Sequence, residues 1–127
     1  MASPNDRRYL DSHEWHKLEG DTVVIGVSQF AVDELTDITY VDFRKKDGPI
    51  RAGEAVGEIE SVKATSDLYS GIDGTIVAVN DKVSDDPSLV NRDPFGEAWL
   101  IKIKPDNPAQ VEGLLAAADY DAKAGGH

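Results

Sequence analysis

The chain reads as a mostly-β protein, a sandwich or barrel of many short strands closed by one helix. Three observations predict this. Short β-branched runs recur at Thr22–Val27, Ile38–Phe43 and Gly74–Val79. Glycine and aspartate punctuate the chain between such runs, as turns between strands require. Trp99, Ile101 and Ile103 alternate with Leu100, Lys102 and Lys104, the period-two pattern of a strand with one face in a core. Strands of this length and spacing build antiparallel sandwiches and barrels.

Taken in order, Met1 to Arg8 is polar and reads as a loose tail. His13–Leu18 is a first strand, turned by Glu19-Gly20-Asp21. Thr22–Val27 is apolar throughout its length, which fits a strand buried on both faces. Ser28 can cap a short helix over Gln29–Leu35, because Phe30, Ala31, Glu34 and Leu35 share helical spacing. Ile38–Phe43 returns to strand, and Arg44–Gly48 is a charged loop. Val56–Ser61 and Ala64–Leu68 read as a hairpin with Lys63 at or near its tip. Tyr69–Gly74 turns into the strand Gly74–Val79. Asp81–Asn91 is polar, with Pro87 able to start a helical turn. Asn107 and Pro108 can cap and open a final helix in which Val111, Leu114, Leu115 and Ala118 share one face, a lid on the β-core. Residues 122–127 read as a second loose tail.

At 127 residues the chain is long enough for one domain, 1–127, around one core. It has no cysteine, so it carries no disulfide and no thiolate of its own. Its net charge of −11 argues against nucleic acid and anionic membrane surfaces, and favours partners with basic patches. No apolar run reaches the length of a membrane span. The start, Met1-Ala2-Ser3-Pro4-Asn5-Asp6, lacks the apolar stretch of a signal peptide. A cytoplasmic, bacterial protein is the simplest expectation, with a mature mitochondrial form as the alternative.

Few residues suit self-contained catalysis. His13 and His16 are three apart in a strand context, whereas the zincin pattern sets two histidines four apart on one helical face. Ser12, His13 and Glu14 are neighbours in the chain, and neighbours in a strand diverge, so they do not read as a triad. Asp85, Asp86 and Asp93 lack the alternating ligands and glycine of a calcium loop. Lys63 stands out instead. Val62 and Ala64 beside it are not bulky enough to crowd it, and Glu60 and Asp67 place carboxylates nearby. Any lysine is most simply a solvated surface charge; here the alternative is a lysine displayed for covalent attachment of a swinging cofactor.

That alternative is supported by a resemblance. Glu60-Ser61-Val62-Lys63-Ala64-Thr65-Ser66-Asp67-Leu68-Tyr69-Ser70 resembles the lipoyl-attachment segment of the H proteins of the glycine cleavage system. Tyr9–Trp15, ending in Ser12-His13-Glu14-Trp15, resembles the same family. So do Gly26-Val27-Ser28-Gln29-Phe30-Ala31, the stretch Leu89-Val90-Asn91 with Asp93-Pro94-Phe95-Gly96-Glu97, and Ala98–Pro105. The matches follow family order along nearly the whole chain. The resemblance implies a barrel-sandwich hybrid of the lipoyl and biotinyl carrier type, with lipoate joined by an amide to Lys63. It implies a carrier, not an enzyme, that takes an aminomethyl group from glycine decarboxylase (a pyridoxal phosphate enzyme) to an aminomethyltransferase that uses tetrahydrofolate. Dihydrolipoamide dehydrogenase then reoxidises the arm. It also implies that Glu14, Asp67 and Ser12 shield the cationic aminomethyl cargo, and that Glu60 serves recognition by the lipoate-attaching enzyme.

The chain departs from the family's usual pattern in three turns or loops. Thr36 replaces a glycine, Phe43-Arg44 replaces Leu-Pro, and Gly71 replaces a proline. The basic run Arg44-Lys45-Lys46 could alter partner choice, which leaves an H-like paralogue relaying lipoate to other lipoyl enzymes as one alternative. An unmodified acidic β module that binds a protein partner is another. A biotin carrier fits the fold, but Ser61-Val62-Lys63-Ala64 does not resemble the Met-Lys-Met of biotinyl domains. A hydrolase lacks a nucleophile with a base.

Overall fold

The computed structural model describes residues 3–125. Two antiparallel sheets enclose the core. The larger uses β1 (Arg8–Tyr9), β2 (Glu14–Glu19), β3 (Thr22–Val27), β5 (Gly48–Ile50), β8 (Gly74–Val79) and β9 (Ile101–Pro105), in the order β1-β2-β3-β9-β8-β5. The smaller uses β4 (Ile38–Phe43), β6 (Ala55–Ser61) and β7 (Thr65–Tyr69), in the order β4-β6-β7. Helix α1 (Gln29–Leu35) links β3 to β4. Helices α2 (Asp81–Asp85) and α3 (Ser88–Arg92) lie between β8 and β9. The chain ends in a 3-10 turn, Pro108–Gly113, and helix α4 (Ala117–Gly125). This is the mostly-β barrel-sandwich architecture with a short internal helix and a C-terminal helix that the sequence led us to expect.

β3 is buried from Val23 to Val27 because both of its edges and both of its faces are covered. Its backbone pairs with β2 on one side and β9 on the other. Val23, Ile25 and Val27 point into the main core with Ile59 and Leu68 of the smaller sheet. Val24 points the other way, into a second cluster with Tyr9, Trp15, Tyr120 and Ala124. Alternation along the strand therefore feeds two cores. Gly26 belongs to this second layer: a Cβ there would stand 2.5 Å from the Trp15 ring, so only glycine lets the indole lie flat on the strand. Trp15, Phe95 and Trp99 are packing residues of this layer, as expected.

The C-terminal segment differs from the single helix that was expected. Leu114 is extended, and Leu115 exchanges two backbone hydrogen bonds with Tyr9, so the chain leaves the 3-10 turn to pair with the short edge strand β1. Only then does α4 begin. Its covering residues are Ala117, Tyr120 and Ala124, whereas Ala118, placed on the apolar stripe from sequence, is exposed. Residues 1 and 2 of the first tail lie outside the described residues, and the described part that follows makes contacts with the fold. Ser3 donates from its N–H and hydroxyl to Asp121, and Tyr9 Oη donates to the Pro4 carbonyl. The Arg7 guanidinium lies 4.6 Å over the Trp15 ring. α4 runs through Gly125, and residues 126 and 127 lie outside the described residues. β9 starts at Ile101, two residues later than the alternation suggests. Leu100 is buried as well, because its N–H donates to Ile25 and its carbonyl accepts from Asn80.

Candidate functional site

The hairpin of β6 and β7 carries Lys63 in its turn. Its last paired rung is Glu60 opposite Thr65, and Tyr40 of β4 lies on the other side of Glu60. Ser61 builds the turn. Its Oγ accepts from the N–H groups of Lys63 (3.1 Å) and Ala64 (3.0 Å) and donates to the Ala64 carbonyl. A serine that binds backbone two and three residues ahead mimics a turn's own hydrogen bonds. The tip is also tied from outside, because the Val62 N–H donates to the Asp37 carbonyl at 3.1 Å. Val62, Lys63, Ala64 and Thr65 are all exposed. The backbone around Lys63 is thus held while its side chain faces solvent.

Asp37 follows the strained end of α1. Thr36 closes that helix at φ 63° and ψ −133°, a conformation that suits glycine. Asn91 of α3 clamps the strained corner, donating to the Thr36 carbonyl (2.6 Å) and accepting from the Ile38 N–H (3.0 Å). The helix, this corner and the lysine turn are therefore connected through backbone contacts.

A cleft of about 240 Å³ opens between α1, the edge strand β7 and the start of β2. Ser12, His13, Glu14, Ser66, Asp67 and Glu34 supply its polar lining, with Ile59 and Leu68 among the apolar walls. Ser12, Glu14 and Asp67, singled out in the sequence, are brought together here. Asp67 lies on β7, four residues beyond Lys63. A larger groove of about 510 Å³, lined by Arg8, His16, Leu18 and Glu112 among others, includes no residue of the lysine hairpin.

Glu14 is buried. It accepts from the Ser12 hydroxyl at 2.6 Å and from the Tyr69 N–H at 2.7 Å, so it bridges β2 to the free edge of β7. Desolvation pushes its carboxyl up to about 7, against the opposing pull of these two hydrogen bonds. Asp67 is partly exposed. Its Oδ1 accepts from Arg44 at 2.9 Å and its Oδ2 from the Tyr69 hydroxyl at 3.3 Å. Arg44 also reaches Glu58 at 3.1 Å, and Lys45 pairs with Glu54 at 2.9 Å. Two of the three basic side chains of this run, Arg44 and Lys45, are thus paired with carboxylates of the fold.

His13 lines the cleft although it was set aside in the sequence. It sits at φ 85°, its Nδ1 lies 2.7 Å from the Tyr120 hydroxyl, and its ring packs 4.7 Å from that of Phe30. Tyr120 in turn lies 2.6 Å from the Ser28 hydroxyl, the N-cap of α1. The C-terminal helix therefore braces the cleft wall. The Ser12 hydroxyl donates to Glu14. Among the described residues no three His, Asp or Glu side chains converge as metal ligands, and no helix is long and apolar enough to cross a membrane.

One departure from the family pattern has a direct structural partner. The Gly71 N–H donates to Nε2 of the buried His16 at 3.0 Å, a bond that proline cannot make. A Cβ at this position would also approach Leu10 Cδ2 to 2.9 Å.

Two small sheets that display a tethered lysine turn and a carboxylate-lined cleft have the form of a presenting module. Comparison with known proteins agrees. A family model described as Glycine cleavage H-protein matches residues 7–125. The glycine cleavage system H protein of Acinetobacter baumannii is 47% identical over 122 residues, covering 96% of this chain and 98% of the relative. That of Myxococcus xanthus is 46% identical over 119 residues, covering 94% and 92%. The crystal structure of a glycine cleavage system H protein from Mycobacterium marinum superposes with a TM-score of 0.87 at 37% identity, over 96% of this chain and 98% of that one. The chain belongs to the glycine cleavage H-protein family.

Proposed function

We propose that this chain is the lipoyl carrier of a glycine cleavage system, with lipoate joined to Lys63 by an amide. The observation that carries this reading is the turn itself: an exposed lysine whose flanking backbone is fixed by Ser61 and by Asp37. A modifying enzyme needs an amine it can engulf on a backbone that does not have to be ordered first. Amide formation removes the ammonium charge, and the bound lipoate supplies the sulfur on which the aminomethyl cargo travels.

The chain's own residues then serve that cargo. An aminomethyl group is an amine, cationic near neutral pH and unstable to water. Glu14 and Asp67 offer negative charge, Ser12 holds Glu14 in place, and the apolar walls limit water. Because burial holds the Glu14 carboxyl near neutrality, an arriving cation favours its ionised form and is held by it. Glu60, beside the turn, contributes to recognition by the lipoate-attaching enzyme. Glycine decarboxylase, the aminomethyltransferase and dihydrolipoamide dehydrogenase are the partners this role requires. No chemistry of its own is assigned to the chain, and the whole of 1–127 acts as one carrier domain in the cytoplasm.

Reconstitution with the other three glycine cleavage components tests the reading. The lipoylated chain should support glycine-dependent release of carbon dioxide, and the unlipoylated chain should not. Glu14→Ala should shorten the lifetime of the loaded intermediate in a single turnover while leaving lipoylation of Lys63 intact. An unchanged lifetime would remove Glu14 from the mechanism. A chain that accepts lipoate yet never supports the cycle, while passing lipoate to other lipoyl enzymes, would identify a relay paralogue instead.

A further inference from the structure

One carboxylate of the cleft, Asp67, is already paired with a cation, Arg44, that is not itself part of the cleft lining. Asp42, Glu58 and Asp67 stand directly opposite one another across β4, β6 and β7, so three carboxylates share one row of the smaller sheet. Like charges placed this way repel. Arg44, two residues beyond Asp42, reaches back over the row and binds both Glu58 and Asp67 through Nη2. With the Tyr69 hydroxyl on Oδ2, both Asp67 oxygens are engaged before any cargo arrives. Arg44 stands in one of the positions where the chain departs from its family's usual residues, and it is itself exposed.

We propose that Arg44 is a resident counter-ion that competes with the cationic cargo for Asp67, and so sets how tightly this carrier retains it. The inference rests on the carrier reading above and adds a specificity-determining residue to it. A cationic amine that docks against Asp67 must displace the guanidinium or share the carboxylate with it. The pair is partly exposed, with both side chains more than two-fifths accessible, so breaking it is easy. Exposed pairs of this kind are weak and screened by solvent, so the effect on a competing ligand should be no more than a few-fold. Arg44 is therefore a moderator of retention, not a lock.

Methylammonium chloride is a soluble stand-in for the cargo's charged end. Its affinity for the unmodified full-length chain can be read by NMR from the Asp67 carboxyl and cleft amide shifts, with sodium chloride at equal ionic strength as the control. Arg44→Gln should tighten methylammonium about two- to fivefold, and Arg44→Lys should keep the wild-type affinity. In an Asp67→Asn background Arg44→Gln should bring no gain. Equal affinities of the wild type and R44Q would overturn the proposal. So would a gain that persists in D67N, or shifts that sodium reproduces. The lipoylated chain then separates this inference from the reading beneath it. A wild-type chain that takes up no lipoyl group overturns the carrier role of Lys63 and the cargo role of Arg44 together. A chain that loads normally but loses its aminomethyl group at the same rate with and without the R44Q change overturns the role of Arg44 alone.

Discussion

Glu14 and His16 are neighbours on one strand and are both buried, yet their titrations oppose each other. Burial raises Glu14 from 4.5 to about 7, so its folded-state pKa lies above its unfolded one. Its contribution to stability is complete below pH 4.5 and is lost as pH rises through about 7. Burial lowers His16 from 6.5 to about 4. Its contribution is complete above pH 6.5 and is lost as pH falls through about 4. Between pH 4.5 and 6.5 the two slopes cancel. Glu14→Gln removes one of them. Relative to the wild type, its stability should rise by on the order of 3 kcal/mol from pH 4.5 to 7, at about 1.4 kcal/mol per pKa unit. Denaturant titrations of both proteins across this range check the prediction, and a constant difference would mean that Glu14 is ionised throughout. Ser61 offers a second test at this scale. Ser61→Ala removes the acceptor for two turn N–H groups, so lipoylation of Lys63 should slow several-fold in a timed intact-mass assay while overall stability drops by only about 1 kcal/mol.

At the scale of elements, the corner between α1 and β4 holds strain beside the lysine turn. Thr36 occupies a conformation suited to glycine, at a cost of about 1–3 kcal/mol. Thr36→Gly relieves it but adds unfolded-state entropy, so a net stabilisation of about 1 kcal/mol is expected from the denaturation midpoint. Asn91→Ala leaves the Thr36 carbonyl and Ile38 N–H without their shared partner and should cost about 1–3 kcal/mol. Much of this scale was legible in the sequence. β3, β4, β8, α1 and the lysine hairpin were readable because β-branched runs and a serine cap act locally. The break between Gly113 and Ala117 was not, because it is imposed by Leu115 pairing with Tyr9, more than a hundred residues away. β1 and β5 were missed for the same reason: each is two or three residues long and exists only as a rung on another strand.

The whole molecule carries a net charge of −11, and its basic run is largely folded back onto its own carboxylates. Encounters with basic partners should therefore weaken as salt rises, seen as an increasing KM for the lipoate-attaching enzyme and the decarboxylase with little change in kcat. Within the proposed site, the choice of Lys63 and the three cleft residues rests on their segments' resemblance to a family, and the structure places Ser12, Glu14 and Asp67 on one cleft. The braces were not. Arg44 meets Asp67 across 23 positions of sequence and His13 meets Tyr120 across 107, and no local pattern encodes such pairs. Ser61 did carry a local signal, a serine opening a short turn.

The role proposed for this fold is to present Lys63 for a borrowed cofactor. Intact mass of the full-length chain after incubation with lipoate, ATP and a lipoate-attaching enzyme tests it most directly. The wild-type chain should gain one lipoyl group that Lys63→Arg does not. An unmodified wild-type chain, or a variant that gains the same mass, would contradict it.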